Sequence, residues 1–552
     1  MADTVADKFI QQYESALSDR RIWDSHWDDL ARVTLPRRQG FVTQTTEGDR
    51  RMEDNFDGTP IQAARGLSNA IDGFLWPDGQ TTHTIKPEDD ELENMDEVKE
   101  WLDQANEELH ESMENPRARF RQSRGEISSD LSVFGSGVMF IGEPASRNNL
   151  LYQSLHLKDA VVIWGEEGEP LGIMRMKRFT VQQVADKITA GEWKNISDTL
   201  RQKIQNGQNM QEKVKFLHVV MRRPGGRVDA MLAKNLPYTH TWVEFDDRQR
   251  VSEGGFHEFP FVVPRWDTSS GEDWGRSPGM IALPDSNTLQ AMGETMLVAG
   301  QRAADPPLLY PNDGFFNEAN TFPGGMSAYD VETAAQVGGN PVFPLQTGGS
   351  MPLTREMQMD VREQVWAAFF RNVLNLPTNG PQMTATEVIQ RKEEFIREIG
   401  PVFGRLESDY VAPTVERSFN ILLRANALPP IPEVLQGRNI RFEYDSPVKR
   451  VRQQIEAAAA QMWVREHIEI ATATGRPDIL DRVNFDKYSE LTQEYAKIPH
   501  ELANDEETVQ AIRQQRDKAE EAARQAAAQE QMVNMAKTGA DAAKSAGITE
   551  AA

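Results

Sequence analysis

Side chains able to do covalent or metal chemistry are sparse in this chain of 552 residues. It has no Cys, which removes a thiolate nucleophile, disulfides, iron–sulfur clusters and Cys-type zinc sites. The same absence suits a reducing cytoplasm. The nine His stand at positions 26, 83, 110, 156, 218, 240, 257, 467 and 500. No two are four apart, so the H-E-x-x-H zinc helix is missing. Gly135-Ser136-Gly137 places a hydroxyl between glycines but lacks the G-x-S-x-G spacing of a nucleophile elbow, and reads as a tight bend. No G-x-x-x-x-G-K-[ST] phosphate cradle occurs, which argues against a motor ATPase. With 85 Asp and Glu, carboxylate pairs arise by chance and none is singled out. The chain is read as non-enzymatic, with no catalytic residue, metal ligand or cofactor expected.

Charge and length set the remaining bounds. The net charge of −25 argues against a surface that grips nucleic acid, since phosphate binding relies on Lys and Arg. It does not exclude a surface that lets nucleic acid pass. The acidic start, Met1-Ala-Asp-Thr-Val-Ala-Asp7, shows no secretory signal. The longest apolar stretch, around residues 131–141, falls short of the ~20 residues a membrane helix needs. At ~150 residues per domain, the length corresponds to about three to four domain-sized units.

The elements follow from hydrophobic period. Residues 4–35 read as one long helix, with Val5, Phe9, Tyr13 and Leu17 every four residues and Pro36 as its stop. Residues 96–114 form a second amphipathic helix, with Val98, Trp101, Leu102, Ala105 and Leu109 on one side and an acidic, solvated face opposite. Arg117, Arg119, Arg121 and Arg124 follow, and are expected to pack against that acidic helix. From 130 to 265, short β-branched and aromatic runs separated by Gly and Pro turns read as an antiparallel sheet with one helix inserted near 180–205. The fold class is therefore α+β and helix-rich, without the regular strand–helix alternation of a doubly wound nucleotide fold.

Two further helices, 284–304 and 354–373, flank a Pro- and Gly-rich stretch too long for a structureless loop. Each is about 20 residues, or about 30 Å, which suggests an antiparallel pair with a small module at its far end. Residues 374–383 are an uncharged loop. Thr384-Ala-Thr-Glu387 fits a capping box, with the Thr384 hydroxyl on the Glu387 amide and the Glu387 carboxylate returning to Thr384. The helix it opens carries Gly400-Pro401 inside an apolar pattern that continues to about Arg424, so a kink is expected there. Helices are expected over 447–474, about 478–498 and 505–536. The last 30 or so residues hold few large apolar groups; they could extend as a helix, but disorder is expected.

Several blocks along residues 10–425 together carry a resemblance to a known family. The most specific is Met383-Thr-Ala-Thr-Glu-Val388, continued by Arg391, Glu394 and Gly400-Pro-Val-Phe-Gly-Arg-Leu-Glu407. Others are Gly66-Leu-Ser-Asn-Ala-Ile-Asp-Gly-Phe-Leu-Trp-Pro-Asp-Gly-Gln80, Trp274-Gly-Arg-Ser-Pro278 and Ala304-Asp-Pro-Pro307. In this order the blocks resemble the portal, or head-to-tail connector, proteins of short-tailed, podovirus-type double-stranded DNA bacteriophages.

The resemblance implies a portal-type fold: an α+β wing (1–283), stem helices (284–304 and 354–373) around a clip (305–353), a tunnel loop (374–383), a long kinked helix (384–425) and a helical crown (426–500). The tail, 501–552, is helical or disordered and shows no family pattern. It also implies a ring of about twelve copies at one capsid vertex of the virion, assembled in the host cytoplasm. That ring would nucleate head assembly with capsid and scaffolding proteins, dock the terminase large subunit and pass double-stranded DNA in and out. It would also hold tail adaptor and nozzle proteins, with no membrane partner. The tunnel-loop residues Leu374, Asn375, Leu376, Pro377, Thr378, Asn379, Gly380 and Pro381 would face the DNA channel. The alternative is a cytosolic helical oligomeric scaffold or adaptor that does not contact DNA.

Overall fold

The computed structural model describes all residues except 1–3, 43–45, 47, 78, 80, 90–91, 93–94, 144–149, 208, 313–319, 321, 331–342, 345–350, 372–396, 446, 497–505 and 548–552. The chain divides into two units, Met1–Val451 and Arg452–Ala552.

The first unit opens with α1 (Thr4–Asp19) and α2 (Arg21–Thr34), where a single helix was expected. The interruption is Arg20 alone, and its backbone stays near helical values. The cause is its side chain. The buried Arg20 guanidinium donates to the carbonyls of Leu157 at 2.7 Å, Ala160 at 2.6 Å and Lys158 at 3.2 Å. Its Nε sits 2.9 Å from Asp24. A buried cation held by three carbonyls and a carboxylate fixes the joint between the two helices. Next come α3 (Thr59–Leu75), α4 (Asp96–Glu114) and α5 (Phe120–Phe134). As the sequence period predicted, Val98, Trp101, Leu102, Ala105 and Leu109 of α4 are buried. Arg121 and Arg124 return to Glu114 at 2.7 and 3.3 Å, the expected packing of these arginines on the acidic helix.

Strands β1 (His83–Pro87), β2 (Val138–Gly142), β3 (Leu151–Leu155) and β4 (Ala160–Trp164) are followed by β5 (Pro170–Thr180), β6 (Lys213–Met221), β7 (Tyr238–Glu244), β8 (Gln249–Phe256) and β9 (Phe261–Val262). Strands β4 to β8 form an antiparallel sheet in sequence order. Its two faces follow the period of two. Leu217 and Val219 of β6 join Val161, Met174 and Val243 beneath Ile10 and Tyr13 of α1. Phe216, from the opposite face, packs with Trp242, Phe179 and Trp193. Two short helices, α6 (Val181–Thr189) and α7 (Asp198–Asn206), stand where one was expected. Each has its own cap: Thr180 forms a full capping box with Gln183, and the Ser197 hydroxyl takes the Leu200 amide. Strands β3, β2 and β9 make a smaller sheet. The main core gathers around the fully buried Trp27, which meets Trp274 edge-on with ring centroids 5.0 Å apart.

Later in the chain come α8 (Pro278–Ala304), β10 (Leu308–Asn312), β11 (Met326–Asp330), β12 (Phe343–Pro344) and α9 (Met351–Ala368). Residues 397–424 are helical with a π-helical segment at Glu407–Val411, and β13 (Ile440–Tyr444) pairs antiparallel with β1. The helix Pro447–Thr474 crosses the boundary into the second unit. That unit also holds a 3-10 segment Pro477–Arg482 and the helices Phe485–Ala496 and Glu506–Gly547. Arg513 on the last helix reaches Asp486 at 2.5 Å. Over the tail, given as helical or disordered with a helix expected at 505–536, Glu506–Gly547 is one 42-residue helix, exposed at nearly every position described. Ala, Gln, Glu and Lys have the high propensity needed to keep such a helix without a core.

Candidate functional site

The element pair α8 and α9 is built by local signals. Ser277 caps α8: its hydroxyl accepts the Met280 amide at 3.1 Å and donates to the Val133 carbonyl at 2.6 Å. Pro278 takes the first helical position, where its missing N–H costs nothing. Just before the cap, Gly275 passes so close to Gly135 that a Cβ on Gly275 would lie 2.1 Å from the Gly135 carbonyl oxygen. Gly135 itself has φ of +75°, a conformation that L residues with a Cβ rarely adopt. The Ser136 hydroxyl accepts the Gly275 amide at 2.9 Å. The Gly-Ser-Gly run is thus the tight bend expected of it, and its hydroxyl anchors backbone.

Strands β10, β11 and β12 form one small sheet, order β11-β10-β12, between the two helices. The strand leaving α8 pairs antiparallel with the strand that precedes α9. The helices therefore run antiparallel from a common small sheet, the arrangement expected from the sequence. The turn into that sheet uses Asp305, whose carbonyl accepts the Gly324 amide at 3.0 Å.

Asp57 clamps the two helices to the rest of the unit. Its carboxylate Oδ2 accepts from Arg362 at 2.9 and 3.0 Å and from Gln358 Nε2 at 3.3 Å, both on α9. On the α8 side, Gln290 Oε1 accepts the amides of Phe56 at 2.7 Å and Asp57 at 2.9 Å, and Gln290 Nε2 donates to the Asp57 carbonyl at 2.8 Å. Oδ1 takes the Thr59 amide at 2.8 Å at the entrance to α3. Burial would push the Asp57 carboxyl up, but the hydrogen bonds from Thr59 and Arg362 outweigh it and hold it below the usual carboxylate range. Sequence reading missed this hub. The available signal was Asp57-Gly-Thr-Pro60 ahead of a helical period, which marks a cap but not its distant partners.

Beyond Gln290, the character of α8 changes. Leu289 and Gln290 are buried, whereas Leu297 and Val298 are exposed. On α9, Met357 and Met359 are also exposed, while Val365 is fully buried. Apolar side chains along the far half of the pair are thus left uncovered in a single chain.

Gly400 and Pro401 lie within helical residues 397–406. The break in helical register that the structure describes is further on: the Ala412 amide bonds the Glu407 carbonyl, five residues back. Pro413 follows, and its missing N–H leaves the Asp409 carbonyl without its usual helical donor, a common reason for such a turn. Before the turn, Phe403 packs on Phe74, 5.9 Å between ring centroids. After it, the Ser418 and Tyr152 hydroxyls are 2.6 Å apart, and Arg417 Nε donates to the Ile141 carbonyl at 3.1 Å. Burial pulls the Arg417 guanidinium down to about 10, with Glu258 acting in the opposite sense. The expected tunnel-loop residues Leu374 to Pro381, and the capping pair Thr384 and Glu387, lie outside the described residues. Among the described residues there is no cluster of three or more His, Asp or Glu able to hold a metal ion, and no helix long and apolar enough to cross a membrane.

A family model for the bacteriophage head to tail connecting protein matches residues 6–503. The chain belongs to that family. This connector is 26% identical over 543 residues to the portal protein of Salmonella phage epsilon15, covering 96% of this chain and 95% of the relative. It is also 26% identical over 534 residues to the probable portal protein of Bordetella phage BPP-1, covering 96% and 94%. Among solved structures, a chain from the virion of a native gene transfer agent particle overlaps the connector at a TM-score of 0.35, with 11% identity, over 78% of this chain and 95% of that chain. The blocks that carried the resemblance have physical reasons in the connector. In Trp274 to Pro278, the Trp fills the core, the Gly permits a backbone crossing, and the Ser and Pro start α8.

Proposed function

We propose that this connector is the portal of a short-tailed phage. The observation that carries the reading is the antiparallel α8–α9 pair, which ends in its own small sheet, is clamped at Asp57 and leaves Leu297, Val298, Met357 and Met359 uncovered. Uncovered apolar side chains along two helices suit burial against further copies. On this reading, twelve or so copies close into a ring at one capsid vertex, the head–tail junction of the virion, after assembly in the host cytoplasm. Residues 1–283 are the wing, 284–304 and 354–373 (most of α8 and α9) the stem, 305–353 the clip, 374–383 the tunnel loop, 384–425 the long helix and 426–500 the crown. The ring nucleates head assembly with capsid and scaffolding proteins, and docks the terminase large subunit. It lets DNA in and out, then holds tail adaptor and nozzle proteins. Its work is mechanical, without catalysis.

The charge suits such a passage. Twelve copies of −25 carry −300. DNA bears one charge per ~1.7 Å, so a stem of about 30 Å surrounds about 18 phosphates. An acidic wall repels them from every side, which centres the duplex and lets it slide. Screening confines this force to about 8–10 Å at physiological salt, so it falls to the residues nearest the DNA.

Electron microscopy of the purified full chain tests the proposal. The expected image is a ring with a central hole wide enough for duplex DNA. A stable monomer at micromolar concentration would refute it, and an oligomer with no hole would leave the scaffold reading.

A further inference from the structure

A cavity of about 1120 Å³ opens where α2 ends, between α3 and α5, with residues 48–53 as its outer wall. Its lining includes the apolar Leu35, Ile61, Ala64 and Val133, the carboxylates Asp49 and Glu53, and four arginines: Arg37, Arg50, Arg51 and Arg65. Arg51 secures the wall, donating to the carbonyls of Arg37 at 3.0 Å and of Gln39 and Thr46 at 3.2 Å. The other three reach outward. Arg37 and Arg65 are exposed and form no ion pair among the described residues. Among the described residues Arg50 has only Glu53, at 3.8 Å, with side chains 88% and 69% exposed. Four arginines against two carboxylates at one opening, two of the arginines without an ion pair among the described residues, are unexpected on a chain with 85 acidic and 60 basic residues.

The opposite imbalance lies on α4. Glu97, Glu100, Asp103, Glu107 and Glu111 are exposed at steps of three and four, so they share one face of the helix. That stripe is about 21 Å long at 1.5 Å per residue. None of the five forms an ion pair among the described residues. Like charges at these spacings repel one another within the helix. Each chain therefore presents an arginine-rich mouth, offset only in part by Asp49 and Glu53, and, on a different element, an acidic stripe with no ion pair among the described residues. Two distinct complementary patches on one chain are what a head-to-tail ring contact uses.

We propose that the acidic face of α4 docks against the arginine-lined mouth of the neighbouring copy, an inference that rests on the ring reading above. Guanidiniums and carboxylates brought together between two subunits lose part of their water, and screening of the pair weakens there. Arg37, Arg50 and Arg65 would each face a carboxylate from the next subunit.

Charge reversal on the full-length protein tests this. Native mass spectrometry and sedimentation at 50 and 500 mM salt measure the concentration at which half the chain is assembled. Arg50→Glu with Arg65→Glu, and separately Glu100→Lys with Glu107→Lys, should each raise that concentration at least tenfold at low salt. Combining all four reversals should return it to within about threefold of wild type. Circular dichroism and a melting curve check the monomer fold. If a reversal variant misfolds, Arg50→Gln with Arg65→Gln is used, with the same tenfold expectation. Wild-type assembly of the arginine variants, while the wild-type ring itself forms, overturns the docking and spares the ring. Failure of the four-fold variant to recover, with its monomer folded, overturns the pairing of these two patches. Inorganic polyphosphate or duplex DNA binding that is lost in the arginine variants, with assembly unchanged, overturns it in favour of an anion site. A wild-type chain that forms no ring overturns both readings.

Discussion

Replacing Asp57 with Asn tests whether one carboxylate holds the two stem helices in place. The change removes the negative charge but keeps the size and one acceptor oxygen. What is lost is the charge on the bonds from Arg362, at 2.9 and 3.0 Å, and from Gln358, at 3.3 Å. A hydrogen bond to a charged group contributes about 1.5–3 kcal/mol, and breaking a buried pair costs about 3–5. Arg362 is 39% exposed, so on losing its partner it can turn to water, which lowers the cost. The expected loss is about 2–3 kcal/mol, felt locally in α8 and α9. Hydrogen exchange reads it directly, since local opening sets amide protection. At tenfold per 1.4 kcal/mol, amides near Gln290 and near Gln358 to Arg362 should exchange about 30- to 150-fold faster, while β6 is unchanged. The carboxyl is held low in the fold, so its contribution is complete above the ordinary carboxylate pKa and fades as pH falls through the lower folded value. Wild-type protein at pH 7 and at pH 5 should therefore show the same protection in these two helices. Less than a threefold change in D57N would show that the hub is ornamental and that apolar packing alone holds the stem.

Three other outcomes follow from particular contacts. The Arg175 guanidinium donates to His218 at 2.9 Å and lies within 4.8 to 5.9 Å of the Phe140, Phe261 and Trp242 rings, with His240 nearby. Burial first, then Arg175, hold His218 well below its ordinary value and bring His240 down to about 4. The unfolded chain takes those protons first, so stability is full above about pH 6.5 and falls towards pH 4. His240 alone loses about 2 kcal/mol at pH 5, and equal melting midpoints at pH 7.5 and 5 would refute this. Gly135→Ala meets a positive φ and a carbonyl oxygen 2.5 Å from the new Cβ. It should cost about 2–5 kcal/mol, read as a lower melting midpoint or insoluble protein, and a wild-type melt would contradict it. On the portal reading, deleting residues 377–380 should leave ring assembly and early packaging largely intact but lower the fraction of heads retaining full-length DNA. Wild-type retention in well-assembled heads would leave 374–383 a plain connector.

Legibility in the sequence followed the range of the interaction. Helix α4 was readable because Val98 to Leu109 repeat at three and four, and burial obeys that repeat. The α8–α9 pair was readable for the same reason, and the intervening composition signalled a module of its own. Strand β8 was not, because Gln249 to Gly255 alternates weakly and lies at the end of the sheet order. The partner of β13 is β1, more than 350 residues earlier, and no local pattern names such a partner. Asp57 was not singled out, because its local sequence signals no more than a cap ahead of α3; its bonds to residues 290, 358 and 362 depend on packing that only the fold supplies. The π turn depends on Pro413, whereas the helical pattern drew attention to Pro401.

That π turn sets a phase relation. An α-helix advances about 100° per residue, so the one residue added at Glu407–Val411 rotates all that follows by about that angle relative to an unbroken rod. Phe403 is aligned on Phe74 by the first stretch, and Tyr410, within the turn, meets Trp76. Arg417 and Ser418 are aligned on Ile141 and Tyr152 by the second. No single straight helix satisfies both sets, because its side chains are locked to one rotation. The turn works as a vernier between two fixed scales. A chain one residue shorter here would have a more regular helix and could engage only one of the two walls.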